Sequence, residues 1–147
     1  MVIGGIAGTL HGAARPTQDV DVLVGRDPDN LGRLALALRS LRASLRAGAE
    51  EPIDLSIDTD RLLMGMNFSW ATSAGDVDTF GEVDGGFTYQ TVLEGAWEAV
   101  TSGGTRILVV SLPQLMAMKR ASARPKDQLA LLELNELRAL LERDSEA

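Results

Sequence analysis

The sequence predicts an α/β (α+β) domain, a mixed, twisted sheet flanked by helices, on three patterns. Residues 19–24 read Asp-Val-Asp-Val-Leu-Val, with acids at 19 and 21 and valines at 20, 22 and 24, so a strand there has two chemically different faces. Leucines at 31, 34, 38, 41 and 45 recur at helical spacing across 31–47. After residue 110 the pattern turns helical again, with a second leucine-rich run over 125–143.

The remaining elements follow in chain order. Val2-Ile3 reads as the end of a strand, so abrupt that a helix is expected upstream of Met1. Gly4-Gly5 turns into a short helix over 6–11, closed by Gly12 as a C-terminal glycine. Arg15-Pro16-Thr17 leads into the acidic strand. The loop 25–30 is rich in turn residues, and Asp29 or Asn30 is expected to cap the helix 31–47, which should pack on the sheet. Residues 48–52 break the pattern, and 53–66 fit either a short strand or a turn of helix. Strands are expected over 67–72 and 77–83, joined as a hairpin through Ser73-Ala74-Gly75-Asp76, with another turn at Asp84-Gly85-Gly86. Residues 88–100 read as a short helix or an irregular segment, and 106–110 as a short β-branched strand. Ser111 should cap the next helix, with Pro113 in its first turn. One domain is expected over 1–147, with a sheet core over 1–110 and C-terminal helices over 111–147.

Composition narrows the function. A chain of 147 residues, 45% hydrophobic and 24% charged, can bury a sizeable core. It has no cysteine, which excludes disulfides and thiolate metal sites. The apolar N-terminal run lacks a basic flank and is broken by glycines, so it reads as a core strand, not a signal peptide. No stretch approaches the roughly 18 apolar residues of a membrane span, and a soluble, cytoplasmic protein is expected. The net charge of −7 argues against broad capture of nucleic acid. Lys119, Arg120, Arg124 and Lys126 make one local exception, a basic cluster that reads either as a solvated helix face or as an attractor for a triphosphate.

Alternate residues of a strand share a face, which puts Asp19 and Asp21 side by side, about 6.6–7 Å apart at Cα. Like charges so placed repel unless a hard cation such as Mg²⁺ bridges them. The plainer reading is two solvent-facing acids. Gly4-Gly5, at a strand–helix junction, would turn backbone N–H groups and the helix dipole toward an anion, although such pairs also serve as simple tight turns. One short helix brings the chain back, so phosphate donors and carboxylates can converge. Asp54, Asp58, Asp60, Asp76, Asp78 and Asp84 are candidates for a third carboxylate. Asp78, mid-strand in Val77-Asp78-Thr79-Phe80, is hardest to explain by packing and is chosen, with Asp76 in reserve. His11 is expected to bind a carbonyl at its helix end. Arg15 should pair with Asp19 or Asp21, or touch a phosphate.

Together these residues carry a resemblance. Gly-Gly-Ile-Ala-Gly-Thr-Leu-His-Gly, followed by Arg-Pro-Thr-Gln-Asp-Val-Asp-Val-Leu-Val, resembles the minimal nucleotidyltransferases of the polymerase-beta superfamily. Within it the likeness is to abortive-infection-type nucleotidyltransferase toxins and their relatives. Weaker likeness continues in Asn67-Phe68 through Thr72, in Gly75-Asp76-Val77-Asp78, in Lys119-Arg120-Ala121 and in Arg124-Pro125-Lys126-Asp127. The resemblance implies a nucleotidyltransferase fold, with Gly4 and Gly5 as the phosphate-cradling turn. It makes Asp19 and Asp21 metal ligands and Asp78 the third carboxylate, which activates the acceptor hydroxyl. Lys119 and Asp127 would help hold the nucleotide, with Arg15, Arg124 and Lys126 around the phosphates. Mg²⁺ or Mn²⁺ would be the cofactor and a nucleoside triphosphate the substrate. tRNA or a protein hydroxyl would be the acceptor, and a cognate antitoxin a partner. The superfamily pattern usually carries Gly-Ser, whereas Gly5 stands in the serine's place.

The expected function is therefore metal-dependent transfer of a nucleoside monophosphate to a hydroxyl acceptor. The alternative is a catalytically degenerate module of the same fold that binds a nucleotide or a partner protein, favoured by the missing serine and the small size. A third reading is an antibiotic-modifying enzyme whose acidic cleft attracts a cationic aminoglycoside.

Overall fold

The computed structural model describes residues 1–46 and 56–145. Its described residues form a mixed α+β structure with five helices. The chain opens with β1 (Val2–Ile3), α1 (Gly4–His11), β2 (Asp19–Leu23), α2 (Pro28–Ser40) and β3 (Ser44–Leu45). Next come α3 (Thr59–Met64), β4 (Asn67–Thr72), β5 (Gly75–Phe80), β6 (Glu82–Val83) and β7 (Phe87–Thr88). It closes with β8 (Trp97–Val100), β9 (Arg106–Val109), α4 (Leu112–Ser122) and α5 (Pro125–Ser145). Seven strands make one sheet in the order β3-β4-β5-β2-β1-β9-β8, and β6 and β7 pair separately. The sheet is mixed: β2 runs parallel to β5 and β1 parallel to β9, while β1 and β2 are antiparallel.

Two apolar clusters hold helices to the sheet. Ile3, Leu23, Val109 and Val110 pack with Ala7 of α1, with Leu115 and Met116 of α4 and with Leu134 of α5. Val24, Trp70 and Ile57 pack with Leu31, Ala35 and Leu38 of α2 and with Leu62 of α3. Trp70 is buried whole, and its indole N–H donates to the buried Thr79 hydroxyl at 3.0 Å, so neither polar group lacks a partner. The valine face of β2 leads into the core just past the strand's end, at the buried Val24, and opens toward its start, where Val20 is exposed. Leu23 continues the face of Asp19 and Asp21 into the other cluster, so both faces of the strand end in core.

Several expectations shift. α2 begins at Pro28, three residues earlier than expected, because Asp27 is the cap and accepts from the Asn30 N–H at 2.8 Å. It ends at Ser40 instead of residue 47: Arg42 takes a left-handed φ of 51°, and the Ala43 N–H returns to the Leu38 carbonyl. Leu45, the last of the leucine series, lies in β3 instead, opposite Trp70. The strand expected over 77–83 is interrupted after Phe80, and β5 starts at Gly75 through a two-residue turn. Residues 88–100 contain a strand, β8, where a short helix was one expectation. The break at 48–52, the start of the ambiguous segment and Asp54 lie outside the described residues. Its remainder forms α3, capped by Asp58. Gly12 does close α1, with φ 111°, and Ser111 does cap α4. No helix among the described residues is long and apolar enough to cross a membrane.

Candidate metal and phosphate site

The parallel register of β2 and β5 sets Asp21 beside Asp78 and Asp19 beside Asp76. Asp19, Asp21 and Asp78 each offer a carboxylate oxygen within 4.8 Å of the other two. All three are partly buried. Asp76 does not join them, because Arg46 holds its carboxylate at 2.7 Å. The choice of Asp78 over Asp76 thus matches the geometry.

Gly4 leaves the sheet with φ +64°, a conformation glycine adopts without strain. The turn aims the start of α1 back at β2. The Gly5 N–H at the helix start lies toward the Asp21 carboxylate and favours its charged form. Burial raises the Asp21 pKa, and the neighbouring charges of Asp19 and Asp78 raise it further; Lys119 and the Gly5 N–H pull the other way without cancelling them. Asp78 is stranded differently: its Oδ1 is buried with no hydrogen-bond partner. An all-oxygen trio containing one orphaned oxygen and mutual repulsion fits a hard divalent cation such as Mg²⁺ or Mn²⁺.

The C-terminal helices contribute the cations through one buried acid. Asp127, 1% exposed, accepts from Lys119 Nζ at 2.7 Å, Arg124 Nε at 2.7 Å and Ser122 Oγ at 2.6 Å. Burial alone would raise its pKa, but the three donors outweigh it and hold the carboxyl at about 2. With its oxygens engaged in this way, Asp127 orients Lys119 and Arg124.

Two clefts meet at this point. One, about 610 Å³, extends past Met66, Asn67, Glu82 and Asp84. The other, about 400 Å³, extends past Gly5, Arg15, Thr17, Asp19, Asp78 and Lys126. Gly4, Asp21, Lys119, Arg124 and Asp127 line both. Of the expected basic cluster, Arg120 is exposed on α4, while the other three line the smaller cleft. Arg15 also lines it, but its partner is Glu133 of α5 at 3.7 Å, not Asp19 or Asp21 as expected. Glu133 also accepts the Ala14 N–H at 2.7 Å, tying α5 to the loop before β2. His11 Nε2 lies 2.8 Å from the Val110 carbonyl, as expected of a helix-terminal histidine.

Three residues near the site were not singled out from the sequence: Thr17, Ser122 and Glu133. Thr17 had a local signal, since it sits two residues before Asp19 and donates to the Asp19 carboxylate at 3.2 Å. Glu133 had none, because its contact with Ala14 spans 119 residues. No protein-family model matches the chain, and no curated protein shows significant similarity to it.

Proposed function

We propose that this chain is a metal-dependent nucleotidyltransferase that moves a nucleoside monophosphate from a triphosphate to a hydroxyl acceptor. The observation that carries the reading is the meeting of three carboxylates within 4.8 Å of one another with Lys119 and Arg124 in one cleft. On this reading the mixed sheet is a nucleotidyltransferase fold, with β1–α1–β2 as its phosphate-facing unit and β5 bringing the third acid alongside.

Asp19, Asp21 and Asp78 would hold Mg²⁺ or Mn²⁺, which when bound neutralises phosphate charge and polarises the phosphoryl oxygens. Lys119 and Arg124, fixed by Asp127, bind phosphate oxygens and arrive already oriented. Asp78 takes the proton of the acceptor hydroxyl as that oxygen bonds to the α-phosphorus. The bond from the α-phosphorus to the bridging oxygen breaks, and pyrophosphate leaves with the electron pair. The smaller cleft, with Arg15 and Lys126 added to the shared cations, suits the polyphosphate.

Toxin-like action, with tRNA or a protein hydroxyl as acceptor and a cognate antitoxin as partner, rests on the resemblance alone. Transfer of radiolabel from each α-labelled triphosphate with Mg²⁺ to tRNA and to protein tests the reading. Labelled acceptor, lost in Asp78→Asn, is expected; no label on any acceptor contradicts catalysis. A second reading, a binding module without chemistry, is favoured by Gly5, which has no hydroxyl and whose N–H faces Asp21. It is distinguished by metal-dependent nucleotide binding without transfer.

A further inference from the structure

We infer that Thr17 supplies a phosphate-binding hydroxyl at the start of α1, and that Gly5 is glycine to make room for it. The inference rests on the nucleotidyltransferase reading and adds a binding residue to it. A Cβ built on Gly5 would stand 2.7 Å from both Thr17 Cβ and Thr17 Oγ1, and 3.2 Å from its methyl carbon. At contacts below 3.0 Å something must shift, and Thr17 Cβ is not the far end of a flexible side chain, so a side chain at position 5 would displace the threonine at 17. Gly5 carries no positive φ, so backbone conformation does not demand glycine there. Space does. The hydroxyl that a serine at position 5 would project beside the helix N-terminus comes instead from the loop before β2.

The Thr17 hydroxyl is also free to turn. Its hydrogen bonds to Asp19 Oδ1 and to the Asp19 carbonyl measure 3.2 and 3.3 Å, long for O–H···O. A hydroxyl that makes only long bonds rotates readily to a closer phosphate oxygen, and a cation held by Asp19 would weaken the competing carboxylate as an acceptor. Thr17 lines the smaller cleft together with Arg15, Lys119, Arg124 and Lys126. A polyphosphate lying there would meet the Thr17 hydroxyl on one wall and those cations around it.

The test uses inorganic tripolyphosphate with Mg²⁺ as the probe, which makes the result independent of the nucleobase. Calorimetric titration compares the wild type with Thr17→Val, Thr17→Ser, Thr17→Gly and the double variant Gly5→Ser/Thr17→Gly, with thermal unfolding to verify folding. Thr17→Val, similar in shape but lacking the hydroxyl, is expected to weaken binding about tenfold or more, the usual effect of losing a hydrogen bond to a charged group. Thr17→Ser is expected to bind within about twofold of wild type, since it retains the donor. The double variant is expected to bind more tightly than Thr17→Gly alone, because the hydroxyl returns from position 5. A folded Thr17→Val that binds like wild type overturns the inference and leaves the nucleotidyltransferase reading standing. If the wild type binds no Mg²⁺–tripolyphosphate and transfers no label from any triphosphate, the underlying reading falls and this inference with it.

Discussion

Gly4 and Asp21 occupy one another's space: a Cβ on Gly4 would stand 1.8 Å from Asp21 Oδ2 and 2.6 Å from its carboxyl carbon. The absence of a side chain at residue 4 is what lets the central acid of the trio lie over the strand–helix junction. Gly4→Ala therefore pushes Asp21 aside and also forces a Cβ into a left-handed conformation. A loss of about 2–4 kcal/mol is expected, combining backbone strain with overpacking. Chemical denaturation measures that loss, and metal affinity should fall with it.

Repulsion within the acid trio leads to a second expectation. Asp21 is partly buried with its pKa raised, so its charged form works against the fold at neutral pH when no cation is present. A group whose folded pKa is raised favours folding at low pH, and that contribution disappears as pH rises through the folded value. Asp21→Asn should thus raise the melting temperature of metal-free protein at pH 7. Mg²⁺ or Mn²⁺ should stabilise the wild type, by about 2.7 kcal/mol at a hundred times Kd. The variant should lose most of that gain. Thermal shift assays with and without chelator read both effects.

The Asp127 cluster behaves in the opposite sense. Its folded pKa of about 2 lies below the ordinary 3.8 of a carboxyl, so the cluster stabilises the fold above the unfolded value. That contribution, on the order of 2 kcal/mol, is lost as pH falls from about 5 through the folded value. Asp127→Asn should abolish this part of the acid limb and lower stability at pH 7 by about 3 kcal/mol, since Lys119 and Arg124 lose their shared anion. Urea unfolding across pH 2–7 distinguishes the two proteins.

Glu133 offers a test at longer range. It ties α5 to the loop that carries Arg15 and Thr17 through its bond to the Ala14 N–H. Glu133→Ala should cost about 1 kcal/mol in global stability, the usual net value of one hydrogen bond. Amide exchange at Ala14 and its neighbours should accelerate more than exchange in the sheet.

Much of the site was legible because its parts are local. Asp19 and Asp21 follow from strand alternation, and Gly4-Gly5 from a glycine pair between a strand and a helix. Asp78 stood out because an acid in mid-strand lacks a packing explanation. The pairing of Asp21 with Asp78 depends on a parallel register between strands 57 residues apart, which no local pattern encodes. The end of α2 was missed because Arg42, not a glycine, adopts the left-handed conformation there. Arg15 was assigned the wrong partner, since nearby aspartates were visible in the sequence and Glu133 on a distant helix was not. The buried role of Asp127 escaped because Lys119, Arg120, Arg124 and Lys126 read as one basic run, whereas a single carboxylate draws in Lys119 and Arg124 together with the Ser122 hydroxyl.

The most direct measurement is a calorimetric titration of nucleoside triphosphates, with and without Mg²⁺, against wild type and Asp19→Ala/Asp21→Ala. The nucleotidyltransferase account expects Mg²⁺-dependent binding by the wild type and its loss in the double variant while the fold is retained. Equal affinity of the two folded proteins for the metal-bound triphosphate would contradict it.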